Sequence, residues 1–115
     1  MRPSHEEMRL REMLDTARAA LELTHGRSRS DLETDHGLRM ALLWAITEVG
    51  EGSKQVSDAT RANAQDVPWS LMAKSRDRII HGYLTIDLDI VWDIVTVDFP
   101  GVVAALEKTT SGEGE

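Results

Sequence analysis

Apolar residues spaced for one face of a helix constrain this chain more than any other feature. Leu10, Leu14, Ala17 and Leu21 recur at four, three and four residues, and Leu38, Leu42, Ile46 and Val49 recur at four, four and three. A helix-starting signal stands before each stripe: Ser4 with Glu7, and Ser30 with Glu33, both at capping-box spacing. The first helix is expected to stop near Gly26, the segment "GRSRS" to form a polar hinge, and the second helix to run long. Within that second helix lie two glycines, in "EVGEGSK". Each costs about 1 kcal/mol relative to Ala in a helix interior, so their presence suggests a close helix crossing.

Pro68 stands where it can open a third main helix, expected to run to about His81 with Gly82 as its stop. The segment after it is ambiguous. Leu84, Ile86, Leu88, Ile90, Trp92 and Ile94 alternate with polar residues, which is the period of a strand. Against this, Asp87 is a good N-cap, and Val91, Ile94, Val95, Val102, Ala105 and Leu106 share one side of a helix. Periodicity alone leaves strand and helix equally supported, and Pro100 is expected to kink or split any helix there. At 115 residues the chain suits one domain, read as residues 1–108, with a disordered tail over 109–115.

Composition narrows the chemistry. The longest apolar run, Ala41 to Ile46, is far below the roughly 20 residues of a membrane span, and no secretory signal is read at the N-terminus. Cysteine is absent, which excludes disulfides and thiolate metal sites and fits a reducing cytoplasm. His5, His25, His36 and His81 lack metal-ligand spacing, and no glycine-rich phosphate loop is present, so neither metal nor cofactor is expected. A net charge of −7 argues against coating nucleic acid with the whole surface, because phosphate binding needs a basic face. Local cations remain available for it.

Such cations concentrate in "KSRDRIIHGY", Lys74 to Tyr83. On a helical wheel Trp69, Met72, Ala73, Ile80 and Tyr83 share one face with Arg76 in its middle, while Lys74 and Arg78 point to solvent. Asp77 and His81 are then neighbours at four residues' spacing. An arginine on an apolar face needs a receiving group, either a structural ion pair or an anion held in a cleft. Arginine offers a planar fork suited to phosphate, and histidine exchanges a proton near neutral pH. Together they suffice to cleave RNA without a metal, one acting on the 2′-hydroxyl and the other on the charge that builds at the phosphoryl oxygens.

Arg76, four residues, His81, one residue, Tyr83 resembles the signature of the HepT-like toxins, the DUF86 branch of the HEPN superfamily. "EVGEGSKQVS", "VPWSLMAKSRDRIIHGYLTID" and "VWDIVTVDFPGVVAAL" resemble further blocks of that family, in order, over roughly Ser30 to Lys108. The resemblance implies an all-α, four- to five-helix up-and-down bundle, homodimeric, with the segment after Asp87 helical. It also implies a metal-independent ribonuclease toxin with Arg76, His81 and Asp77 as catalytic residues. Lys74, Arg76 and Arg78 would hold RNA phosphates at a shared dimer cleft. The implied partner is a minimal nucleotidyltransferase antitoxin of the MntA type, which silences the toxin by adding AMP to Tyr83 and can assemble with it into a larger hetero-oligomer. Asp77 stands where HEPN proteins often carry Asn. Two other readings stay open: a non-catalytic dimer that binds a nucleotide or its partner in the same cleft, and a purely structural helical dimer.

Overall fold

A computed structural model describes residues 4–81 and 85–113. Helix α1, His5–Thr24, starts as its spacing predicts: the Ser4 hydroxyl accepts a hydrogen bond from the Glu7 amide at 3.1 Å. It ends where Gly26 takes the left-handed φ of +72° that side chains disfavour. The second capping box is not one. Ser30 makes no side-chain cap, and a single turn, α2 (Asp31–Thr34), ends at Asp35, whose Oδ1 accepts from the Leu38 amide at 2.9 Å and starts α3, His36–Gln55. Nor is "GRSRS" an untethered hinge. Arg27 donates to Asp31 and Asp35, the latter at 2.6 Å, and the bond to Asp35, with that from the Leu38 amide, holds the Asp35 carboxyl below its ordinary range. Arg29 pairs with Glu33 and with Asp89, far along the chain.

Short α4 (Asp58–Asn63) follows, capped by Ser57. Glu6 binds this cap. Its carboxylate accepts from the Thr60 hydroxyl and from the Ser57 amide and hydroxyl, bonds that lower its pKa and tie the start of α1 to α4. Arg61 donates to the carbonyls of Ser53 and Lys54, satisfying the last turn of α3.

The expected helix from Pro68 to His81 is two short helices, α5 (Trp69–Ala73) and α6 (Ser75–Ile79), followed by a strand, β1 (Ile80–His81). Strand β2 (Thr85–Ile86) pairs with it antiparallel, Ile80 opposite Ile86 and His81 opposite Thr85. Helix α7 (Leu88–Asp93) starts at Asp87, whose Oδ1 accepts from the Ile90 amide at 3.2 Å. Alternation and cap are thus both right, in succession: the strand lasts two residues and the cap then decides for helix. From α7 the chain runs through a π-helical turn, Ile94–Asp98, into α8, Phe99–Glu113. In a regular helix the Pro100 ring would meet the carbonyl four residues back, and the wider π turn lies over that carbonyl's residue, Thr96. The hydroxyls of Thr109 and Thr110 donate to the carbonyls of Ala105 and Leu106 within α8, beyond the expected end of the ordered domain.

Helix α1 packs on α3 and α8, and α3 packs on α5 and α6, so four rods enclose one core: α1, α3, the α5–α6 pair and the α7–α8 run. This is the expected all-α up-and-down bundle, with α2 and α4 as connectors. Leu10, Leu42, Val49, Met72, Val91, Phe99 and Leu106 are buried at its centre. Among the described residues no helix is long and apolar enough to cross a membrane.

The glycines of "GEG" mark the close crossing. A Cβ on Gly50 would lie 2.8 Å from the Met72 carbonyl oxygen of α5, and one on Gly52 would lie 2.6 Å from Met13 Sδ of α1. Gly50→Ala is therefore expected to cost about 1–3 kcal/mol, because backbone must shift, despite Ala's better helix propensity. Urea denaturation measures this. A gain of about 1 kcal/mol would show that α5 yields freely.

Candidate active site

The described residues of the motif, Lys74 to His81, lie at the start of α6, along it and in β1, and α6 packs on α3 and α7. Ser75 starts α6, is buried, and donates its hydroxyl to the Leu71 carbonyl at 3.0 Å. Between α5 and α6 the chain winds more tightly at Lys74 (φ −95°, ψ 0°), with three-residue hydrogen bonds such as Asp77 amide to Lys74 carbonyl at 3.0 Å. Tighter winding advances each residue by about 120° rather than 100°. Ser75 and Ile79 consequently take the buried side, and Arg76 leaves it.

The wheel's placement of the arginines is thus reversed. Arg76 is exposed, as are Lys74 and Asp77, and Ile80 is exposed in β1. Arg78, expected in solvent, is half-buried and donates from Nη1 to Asp98 Oδ2 at 2.9 Å, linking α6 to the π turn. Arg76 therefore incurs no burial cost that a second subunit would have to relieve, and among the described residues no carboxylate lies in ion-pair reach of it. Neither a hydrogen bond nor an ion pair joins Arg76, Asp77 and His81 to one another.

His81 is in extended backbone, so the four-residue helical spacing that would have brought it to Asp77 is lost. Its side chain is 77% exposed, and the carboxylate facing it is Asp87, with Oδ2 at 4.0 Å from Nδ1. Asp87 is fixed in place. Its amide donates to the Ile79 carbonyl at 2.7 Å, closing the hairpin, and its side chain is only 25% exposed. The sequence marks Asp87 as a helix cap but gives no sign of this second neighbour, because the contact depends on the hairpin. Tyr83, the residue expected to accept AMP, lies outside the described residues.

Glu48 and Glu51 line a groove between α1 and α3 together with Arg9, Glu12, Asp15 and Trp44, and no motif residue lines it. Trp69 is core, its indole N–H donating to the Ala64 carbonyl at 3.0 Å; Trp92 is half-buried, and Trp44 is exposed.

The family model described as "Ribonuclease HepT-like" matches residues 13–109. The chain belongs to the HepT-like family. Three relatives agree with the assignment across most of their length. A protein of Thermococcus cleftensis named "Probable ribonuclease HepT" is 28% identical over 108 residues, covering 94% of this chain and 97% of that one. Two proteins of Methanocaldococcus jannaschii with provisional RNase names are 28% and 29% identical, covering 92% and 85% of this chain and 90% of each relative. No solved structure matches the chain at comparable significance. For this HepT-like chain the matched stretch contains the whole motif, from Lys74 through Tyr83, together with Asp87 and Asp98.

Proposed function

We propose that this HepT-like protein is a metal-independent endoribonuclease and the toxin of a toxin–antitoxin pair. The observation that carries the reading is the exposure of both Arg76 and His81 on the motif of a chain in the Ribonuclease HepT-like family. In the proposed reaction the 2′-hydroxyl oxygen attacks the adjacent phosphorus and the bond to the 5′-oxygen breaks. The products are a 2′,3′-cyclic phosphate and a 5′-hydroxyl. His81 orients the 2′-hydroxyl or moves a proton at the reacting oxygens, and Arg76 stabilises the charge on the phosphoryl oxygens. Asp77, next to Arg76, tunes the field at the site. Lys74 adds a phosphate contact, whereas Arg78 reaches RNA only with the part of its fork that Asp98 leaves free.

A second copy of the chain completes the cleft by supplying a second Arg76 and His81. Ile80 and Ile86, opposite each other and exposed on the hairpin, offer apolar surface for that contact. The partner that silences the toxin is a minimal nucleotidyltransferase antitoxin, and AMP placed on Tyr83, in the same motif as Arg76, would add negative charge that repels RNA. A second reading, a dimer that binds a nucleotide or its partner without cleaving, is favoured by the net charge of −7.

Wild-type and His81→Ala proteins incubated with RNA in EDTA separate the two. Decay by the wild type alone, leaving cyclic phosphate ends, is the expected result. Equal decay in both samples overturns the catalytic reading, and decay in neither, with nucleotide still bound, supports the binding module.

A further inference from the structure

We infer that Asp87 is the positioning residue of His81, holding its imidazole through Nδ1 so that Nε2 is the nitrogen presented to substrate. Three features of the hairpin carry this. The Asp87 carboxylate divides its two oxygens: Oδ1 accepts from the Ile90 amide as the cap of α7, and Oδ2 faces His81 Nδ1. The Asp87 backbone is pinned by its own bond to the Ile79 carbonyl, so the carboxylate is already fixed when the imidazole arrives. The imidazole is otherwise largely in solvent, and among the described residues Asp87 is the one carboxylate within 4.0 Å of it. That approach is about 1 Å longer than a hydrogen bond, and such bonds are commonly long in the empty site and tighten when substrate binds.

An acceptor at Nδ1 selects the tautomer with hydrogen on Nδ1 and a lone pair on Nε2. Free neutral imidazole prefers the opposite one. Asp87 thus meets His81 from across the hairpin, where helical spacing would have brought Asp77 to it from one turn back. It also couples the site to the fold, since the same carboxylate starts the helix that leads to Asp98 and its pair with Arg78.

The two duties of Asp87 separate by substitution. Asn caps a helix as well as Asp does, so Asp87→Asn keeps the unfolding midpoint of the wild type, while Asp87→Ala loses about 4 °C. Only the carboxylate fixes the tautomer, since an Asn amide can turn its N–H toward Nδ1 and favour the wrong one. Asp87→Asn is therefore expected to lower kcat for RNA cleavage about tenfold with KM unchanged. Nitrogen-15 spectra of the neutral His81 ring should show a larger share of Nδ1–H in the wild type than in Asp87→Asn. The kinetic arm rests on the ribonuclease reading and the spectroscopic arm does not: a wild type that fails to cleave RNA defeats that reading alone. A ring spectrum unchanged in Asp87→Asn overturns the inference, as does one that changes instead in Asp77→Asn.

Discussion

Arg76→Ala is expected to slow RNA cleavage by about 10²–10³-fold while leaving the unfolding midpoint of the chain unchanged. The size is that of losing one preorganised donor to a developing oxyanion. The unchanged midpoint follows from exposure: Arg76 holds no ion pair among the described residues, and substitutions at such surface positions stay within about 0.5 kcal/mol. Arg76→Lys should fall between the two, because it keeps the charge but loses the fork that meets two phosphoryl oxygens at once. Cleavage at the wild-type rate by Arg76→Ala would remove the residue from the site. Lost activity with a lowered midpoint would return Arg76 to the structural role that the wheel first suggested. Arg78 is the opposite case, since its guanidinium serves the fold through Asp98.

The largest effect on stability is expected at Phe99. It is the chain's one phenylalanine, fully buried where the π turn passes into α8. Phe99→Ala should cost about 3–5 kcal/mol, the transfer term plus the cavity left behind, out of the roughly 5–15 kcal/mol that holds an ordinary domain folded. Trp44→Ala removes a larger side chain but should change the stability of the single chain by less than about 0.5 kcal/mol, since Trp44 is 64% exposed. Chemical denaturation of the two variants side by side tests this. A loss at Trp44 equal to that at Phe99 would mean that the α1–α3 face is covered in solution.

Much of the bundle is legible because its signals are local. The Ser4 cap, the stripe from Leu10 to Ala17, the stop at Gly26 and the cap at Asp87 each rest on residues within one or two helical turns. The glycines are legible too, since two in one helix interior are costly unless something lies close, and Met72 and Met13 do. Sequence reading fails where tertiary contacts shift the phase. Trp69 to Ile80 satisfies a helical wheel, but the tight step at Lys74 turns Ser75 inward and Arg76 outward, and nothing in residue types records so small a rotation. Ser30 and Glu33 carry a capping spacing that Asp35 outcompetes by capping α3 directly. The partners that most affect the site, Asp98 for Arg78 and Asp87 for His81, lie 20 and 6 residues away and become visible only once the hairpin and the π turn are placed.

The strands that carry His81 are also where local opening is expected to cost least. The hairpin is two residues on each strand, with Ile80, His81, Thr85 and Ile86 all exposed, so opening it uncovers little apolar surface and leaves the four rods intact. Its amides should exchange with solvent deuterium through local fluctuations, whereas those around Val49 and Leu106 should exchange only when the whole domain unfolds. The motif thus straddles two regimes, with Arg76 on a helix anchored by Ser75 and Ile79 and His81 on a two-stranded flap whose exchange is expected to need only local opening. Anything that clasps the flap, whether RNA, a second copy or a group added nearby, would register first as slowed exchange at the Asp87 amide.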